Sequence, residues 1–270
     1  MMRGMFSAIS GLRSHQVMLD VTANDIANVN TIGYKSARVT FRDSLAQMQR
    51  GATGADPGGT TNGGVNAAQI GLGVGLGSID NLMTGGAMQQ TGQPLDLAIS
   101  GEGFFRVMTD TTNPDTMSYT RAGNFSVNSN GDLVTQDGLF VVDANGAKIN
   151  IPPGNTNVAV APDGTVSSVG ADGVRNPNGV IAVATFPNAS GLERVEGNRW
   201  KAGANSGAPN VGGPTTGNFG GLVSGAIEMS NVDLSATFTN MITAQRGFQA
   251  NSRVISTTDE MLQDLVNLKR

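Results

Sequence analysis

Few residues in this chain have catalytic or ligating chemistry to offer. It holds one histidine, His15, no cysteine, and 21 carboxylates among 270 residues. Without a thiol there is no thiolate nucleophile, no disulfide and no zinc site built on Cys and His. His15 lies one step off an apolar stripe, beside Gln16, and reads as an exposed or interface side chain rather than a base. Asp20, Glu102, Glu193, Glu196 and Glu228 are scattered with no visible pairing, whereas glycoside hydrolysis needs two carboxylates facing across a cleft. Two stretches imitate ligand loops. "GLGVGLG" over 71–77 lacks the Lys-Ser/Thr pair of a phosphate loop and opens no helix. Its alternating glycines fit an extended strand in close backbone contact. "NSNGDLVTQDG" spaces oxygens like a calcium loop, but Leu133 stands where the tight-turn glycine belongs and no glutamate closes it. A hairpin is expected there. No catalytic residue, metal or cofactor is expected, and the chain does not read as an enzyme.

The elements that could position such residues fall into two kinds. Near the start, Met2, Met5, Ile9, Leu12, Gln16, Leu19, Ala23 and Ile26 follow alternating steps of three and four, an amphipathic helix interrupted once by Gln16. Near the end, Phe238, Met241, Ile242, Phe248, Ile255, Leu262, Leu265 and Leu268 trace a second stripe. Asp233 or Ser235 offers it an N-cap, and Gly247 is its one weak point. At 1.5 Å per residue these are rods of about 40–55 Å. Between them the period changes to two. "PLDLAISGEGFFRVM" predicts two strands joined at Ser100 to Gly103, and "GVIAVATF" one continuous strand. Asn130-Gly131, Asp137-Gly138, Asn145-Gly146 and Asp163-Gly164 are each a favoured tight-turn pair between strand runs. Trp200, the only tryptophan, is expected in the β-rich core. Two stretches rich in Gly, Asn, Thr and Pro, Arg50 to Gly71 and Lys201 to Gly221, read as connectors.

The predicted fold is α+β: long terminal helices paired as a helical layer, with an antiparallel β-rich middle. The expected boundaries are 1–33 and 229–270 for the helical part, 34–90 and 203–228 for the connectors, and 91–202 for the β-rich domain. Charged residues are only 14% and the net charge is −4, with no basic patch, so nucleic acid is not an expected partner. No stretch approaches the roughly 20 apolar residues that span a bilayer, and the N-terminus does not read as a cleavable signal peptide. Membrane insertion is therefore not expected. Two helices cover only part of each other's apolar surface, and the first offers just Arg3 and Arg13 for a membrane face. Self-association is the expected fate of the remainder.

"SGLRSHQVMLDVTANDIANVNTIGYKSARVTF" resembles the N-terminal signature of flagellar axial proteins, the rod and hook family. In that signature a helix ends in Ala-Asn-Asn-hydrophobic-Ala-Asn-hydrophobic-Asn-Thr-x-Gly-Phe-Lys. Here Asp25 replaces the second asparagine and Tyr34 the phenylalanine. "PLDLAISGEGFFRV" looks like the family's β-domain entry, and the segment from Gly225 to Arg270 like its C-terminal helix. Residues 145–215 carry no strong motif. Within the family the chain looks most like the short hook subunit, because Arg246-Gly247-Phe248-Gln249 stands where rod proteins read Arg-Ala-Tyr-Glu, and because the chain closes on "LVNLKR".

The resemblance implies a helical homopolymer, a tube with the terminal helices inside and β-domains outside. As a hook subunit it would be a flexible universal joint. The rod reading, a rigid drive shaft, is the alternative, and a secreted adhesin or carbohydrate-active β-domain a remote one. Implied partners are further copies of itself, the flagellar rod, hook cap and hook–filament junction proteins, and the flagellar type III export apparatus, with an exported location in the hook and basal body. The implied subunit interface is Met2, Met5, Ile9, Leu12, Leu19, Ile26, Phe238, Met241, Ile242, Phe248, Ile255, Leu262 and Leu265. Asn24, Asn28, Asn30 and Gly33 form the helix-end motif, expected both to stop the helix and to key it to a neighbour.

Overall fold

The computed structural model describes residues 2–54, 64–110, 116–170, 172–217 and 219–268. Residues 55–63 of the first glycine-rich stretch, 218 of the second, and the extremities 1 and 269–270 lie outside the described residues. The chain divides into two compact units. One comprises Met1–Ile26, Ala37–Asp80 and Asp233–Arg270, the other Ala27–Ser36 and Asn81–Val232.

In the first unit the terminal stripes form α1, Met2–Ala27, and α2, Leu234–Asn267. Their 26 and 34 residues make rods of about 39 and 51 Å. Of the two capping candidates Asp233 serves: its carboxylate accepts from the backbone N–H of Ser235 at 2.8 Å and of Ala236 at 3.2 Å. An anionic cap also complements the positive end of the helix dipole. The helices run antiparallel, with Gly11 against Asn251 and His15 against Gly247. The seam is made of small residues. Ala8, Gly11, Ser14 and Thr22 are buried on α1, and Thr237, Ala244 and Thr258 on α2. Thr237, Ala244, Asn251 and Thr258 recur every seventh position, which keeps one narrow stripe facing α1. A methyl group at Gly11 would lie 2.7 Å from Asn251 Nδ2, and one at Gly247 2.5 Å from the His15 ring. The Gly247 that weakens α2 in isolation is what lets His15 enter the seam.

Four described strands complete this unit. β1, Ala37–Asp43, pairs with β4, Val74–Asn81. β2, Ala46–Arg50, pairs antiparallel with β3, Ala68–Gly71. The "GLGVGLG" stretch is not one strand: Gly71 ends β3, Val74 begins β4, and the chain breaks at Leu72 and Gly73 between them, while a side chain at Gly77 would stand 3.1 Å from Thr40 O. At Gly73, φ +118, a side chain would run into Ser10, whose hydroxyl accepts from Val74 N–H at 3.2 Å. His15 meets the edge of the Phe41 ring on β1, 5.7 Å between centroids.

The second unit is antiparallel β-structure. A sheet of nine described strands runs Glu193–Val195, Arg199–Lys201, Met117–Thr120, Phe104–Met108, Phe140–Val141, Leu133–Thr135, Phe125–Val127, with Val183–Thr185 branching from Phe104–Met108 and carrying Asn210–Gly212. The predicted hairpins at Gly131, Gly138 and Gly164 close adjacent antiparallel strands, and Gly146 turns the chain between bridged Val142 and Lys148. Each of these glycines has φ between +80 and +86, which explains the Asn-Gly and Asp-Gly pairs. Leu97, Ile99, Phe105, Val107, Leu133 and Ile181 lie in the main core, while Trp200, fully buried, packs with Phe104 and Tyr119 in a second cluster.

The two strands expected to be joined at Ser100 to Gly103 form as Leu97–Ser100 and Phe104–Met108; the first pairs with Gly221–Ser224 and the second joins the large sheet. Two expectations are corrected here. "GVIAVATF" is not one strand, because the chain passes from Arg175–Val180, in a three-stranded sheet, to Val183–Thr185 in the large one, burying Ile181 and Ala182 at the switch. The stretch after Lys201 includes Asn210–Gly212, which pairs with Val183–Thr185 instead of standing apart. With these changes the architecture is α+β, the terminal helices packed together and the middle of the chain an antiparallel β-rich region.

Candidate assembly surface and motif clasp

The residues buried on the facing sides of α1 and α2 are small, and the large apolar side chains of both helices are at most half-buried. On α1, Met2 is exposed and Met5, Ile9, Leu12, Leu19 and Ile26 are half-buried. On α2, Met241, Ile255 and Leu262 are half-buried, while Phe238, Ile242, Phe248 and Leu265 are exposed. Phe238 and Ile242 keep 49% and 51% of their surface open. Phe6, Val254 and Met261, outside the predicted stripes, are exposed as well. Apolar surface on this scale, carried on two preformed rods, is suited to association and has no reactive group in it. Among the described residues no cluster of His, Asp or Glu could hold a metal ion, and no helix is long and apolar enough to cross a membrane.

The helix-end motif closes α1 at Ala27. Asn24 and Asn30 are exposed and Asn28 half-buried. Asn28 Oδ1 accepts from the Thr31 hydroxyl at 3.0 Å, and its carbonyl from Thr31 N–H at 3.1 Å. Asp25, where the resemblance has asparagine, is buried and accepts from Ala37 N–H with both oxygens, at 3.2 and 3.3 Å. A carboxylate presents two acceptors where an amide presents one. Gly33 has φ +65, and a side chain there would stand 2.5 Å from the backbone nitrogen of Ala122. In the second unit Asn28, Asn30 and Tyr34 border a cavity of about 490 Å³, with Arg194 and Asn198 also on its wall. The Arg194 guanidinium stacks 4.4 Å from the Tyr34 ring centre, and Asn198 Nδ2 donates to Ile32 O at 2.7 Å.

Glu228, one of the carboxylates scattered through the sequence, is held by cations and not by a second carboxylate. It is buried and bound by two cations: Lys35 Nζ donates to Oε1 at 2.6 Å and Arg121 Nη1 to Oε2 at 2.9 Å. Gly86 N–H adds a third donor at 2.8 Å. Lys35 also donates to Thr84 O, and Arg121 to the carbonyls of Ile99 and Gly101. The Glu228 carbonyl in turn accepts from Gly33 N–H at 2.7 Å, so one residue holds both the motif glycine and the motif lysine. Burial works to raise the Glu228 carboxyl, but Arg121, Lys35 and the Gly86 amide outweigh it and hold it below the ordinary carboxylate range. Burial lowers Lys35, partly offset by Glu228, and lowers Arg121 in the same way. Lys35 and Glu228 sit in the stretches that carry the family resemblance, which was the available signal; their pairing across 193 residues was not.

Three family sequence models match this chain, in places that share the clasp. "Flagella basal body rod protein" matches residues 5–35, "Flagellar hook protein FlgE/F/G D1 domain" 98–168, and "Flagellar basal body rod FlgEFG protein C-terminal" 223–268. Lys35, Arg121 and Glu228 come one from each. The chain belongs to the flagellar rod and hook axial family, whose members are structural components of the motility apparatus and not enzymes.

Among its relatives, the flagellar basal-body rod protein FlgG of Bacillus subtilis is 48% identical over the whole of both chains. That of Caulobacter vibrioides is 38% identical over 99% of this chain and all of its own. The hook protein FlgE of Borreliella burgdorferi is 26% identical, in an alignment of 448 positions. This overturns the hook expectation: whole-chain identity sides with the rod proteins. The position that favoured hook has a local cause. A methyl group at Gly247 would stand 2.5 Å from the His15 ring, so glycine has a packing role at this position.

Proposed function

We propose that this chain is a subunit of the distal flagellar rod, a rigid drive shaft of the basal body, and that it polymerises into a helical tube through the terminal helices. Full-length identity of 48% to a basal-body rod protein supports this reading most strongly. The half-exposed Phe238 and Ile242, left out of the α1–α2 seam, supply surface for the contacts between copies. On this reading the interface draws on the stripe residues of α1 and α2, and Asn24, Asn28 and Asn30 key one copy to the next. Its partners are further copies, adjoining rod and hook components, and the flagellar type III export apparatus that delivers it unfolded. Immunogold labelling of isolated hook–basal bodies tests the placement. Label along the straight shaft is expected; label confined to the curved hook, or absent from the particle, would overturn it.

A further inference from the structure

We infer that Asn231 ties the chain segments that enter and leave the β-rich unit into one braid, which stiffens the chain where it crosses the unit's border. For its purpose this rests on the rigid-shaft reading above, to which it adds a residue that supplies rigidity. The chain crosses that border four times, at 26/27, 36/37, 80/81 and 232/233. Three of the crossings meet at Asn231. Its Oδ1 accepts from Ser36 N–H at 2.8 Å, and its Nδ2 donates to Leu82 O at 2.9 Å, Thr84 Oγ1 at 3.0 Å and Thr84 O at 3.2 Å. Its own N–H donates to Tyr34 O at 3.4 Å, and Leu82 N–H closes the third side by donating to Ser36 O at 2.8 Å. Ser36, Leu82 and Asn231 each stand within two residues of a crossing. In the helical unit Asp25 joins the fourth crossing to the 36/37 one, accepting from Ala37 N–H with both oxygens.

The chemistry of the node selects an amide. Ser36 N–H only donates and the two backbone carbonyls only accept, so the site needs an acceptor beside a donor with two protons. Aspartate would satisfy Ser36 but set a charged oxygen against both carbonyls. Glutamine would carry the same group one methylene too far. Deeper in the unit the same three segments are already gripped by Glu228, whose carboxylate binds Lys35 and Gly86 N–H. Asn231 follows three residues later, between that clasp and the border, so it is not what folds the unit. Its effect falls on the segments as they emerge. A hinge works by letting a few backbone dihedrals absorb a rotation. Segments bonded side by side at the border cannot turn independently, and a hinge there is suppressed.

Amide hydrogen exchange, read residue by residue by NMR, and the stiffness of tubes test this in the full-length chain. In Asn231→Ala, exchange at Ser36 and Leu82 N–H should quicken by about tenfold or more. The Trp200 fluorescence midpoint in urea should fall far less than in Glu228→Gln. In Asn231→Asp, Ser36 N–H should keep its protection while Leu82 N–H loses it, a split that lost packing alone would not produce. Tubes of either variant should bend more than unaltered ones, with a several-fold shorter persistence length in electron micrographs. Unchanged exchange in Asn231→Ala, equal losses at both amides in Asn231→Asp, or a Trp200 midpoint that falls as far as in Glu228→Gln would overturn the braid. Quickened exchange with tubes as straight as before would overturn its mechanical role. An unaltered chain that forms no tubes would overturn the shaft reading, and exchange would still decide the braid.

Discussion

Replacing Glu228 with glutamine keeps the volume of the side chain and an acceptor for Gly86 N–H, but removes the carboxylate charge that binds both Lys35 and Arg121. Two buried cations then lie together without the carboxylate that bound them both. Removing one member of a buried pair costs about 3–5 kcal/mol, and because one carboxylate serves two partners here, a loss of about 4 kcal/mol is expected. Lys35→Met behaves differently. It leaves Arg121 and Glu228 as a one-to-one pair and relieves the burial that lowers Lys35, so its cost should stay near 1 kcal/mol. Trp200 is the only tryptophan and is fully buried in the same unit, so its fluorescence reports this unit alone during urea unfolding. At an m-value of about 2–3 kcal/mol/M, the glutamine variant's midpoint should fall by about 1.3–2 M and the methionine variant's by less than about 0.5 M. Equal losses from the two substitutions, or a Glu228→Gln loss under about 1 kcal/mol, would refute the clasp.

Acid should weaken the same unit. The carboxyls of Glu228 and Asp132 are held below their ordinary values, Glu228 by its two cations against burial and Asp132 chiefly by the Asn150 amide, so their contribution is complete above the ordinary carboxylate range. It is lost as pH falls below that range, and Trp200 midpoints between pH 7 and pH 3 should decline, less steeply in Glu228→Gln. Gly33→Ala puts a side chain at φ +65 and 2.5 Å from the backbone nitrogen of Ala122, and should cost at least about 2 kcal/mol by the same fluorescence assay. Gly247→Ala gains about 1 kcal/mol of helix propensity but drives a methyl group to 2.5 Å from His15. Alone it should lower the melting temperature of assembled polymer, and in a His15→Ala background it should raise it; the same sign in both backgrounds would sever the pair.

The fold class was readable because the hydrophobic period changes cleanly from helical to alternating, and because glycines at positive φ mark the turns at 131, 138, 146 and 164. The seam between the helices was not. Ala8, Gly11, Ser14, Thr237, Ala244 and Thr258 are small or weakly polar, so a search for apolar stripes passes over the face that the two helices share. The clasp escaped for another reason: charges at 35, 121 and 228 are brought together only by the tertiary fold, and each looks solvated in its own stretch. The hook expectation leaned on a glycine and a closing hexapeptide. The glycine answers to His15 across the seam, a constraint that carries no information about place in the flagellum.

Both terminal helices carry exposed apolar side chains, Phe238 and Ile242 among them, and the polymer reading has further copies cover them. Sedimentation of the purified full-length chain over a wide concentration range, with electron microscopy of the pellet, tests this most directly alongside a Phe238→Asp/Ile242→Asp variant. The unaltered chain should pass from monomer to long tubes as concentration rises, and the variant should remain monomeric with its Trp200 unfolding unchanged. An unaltered chain that stays monomeric at every concentration, or a variant that forms tubes as readily, would contradict it.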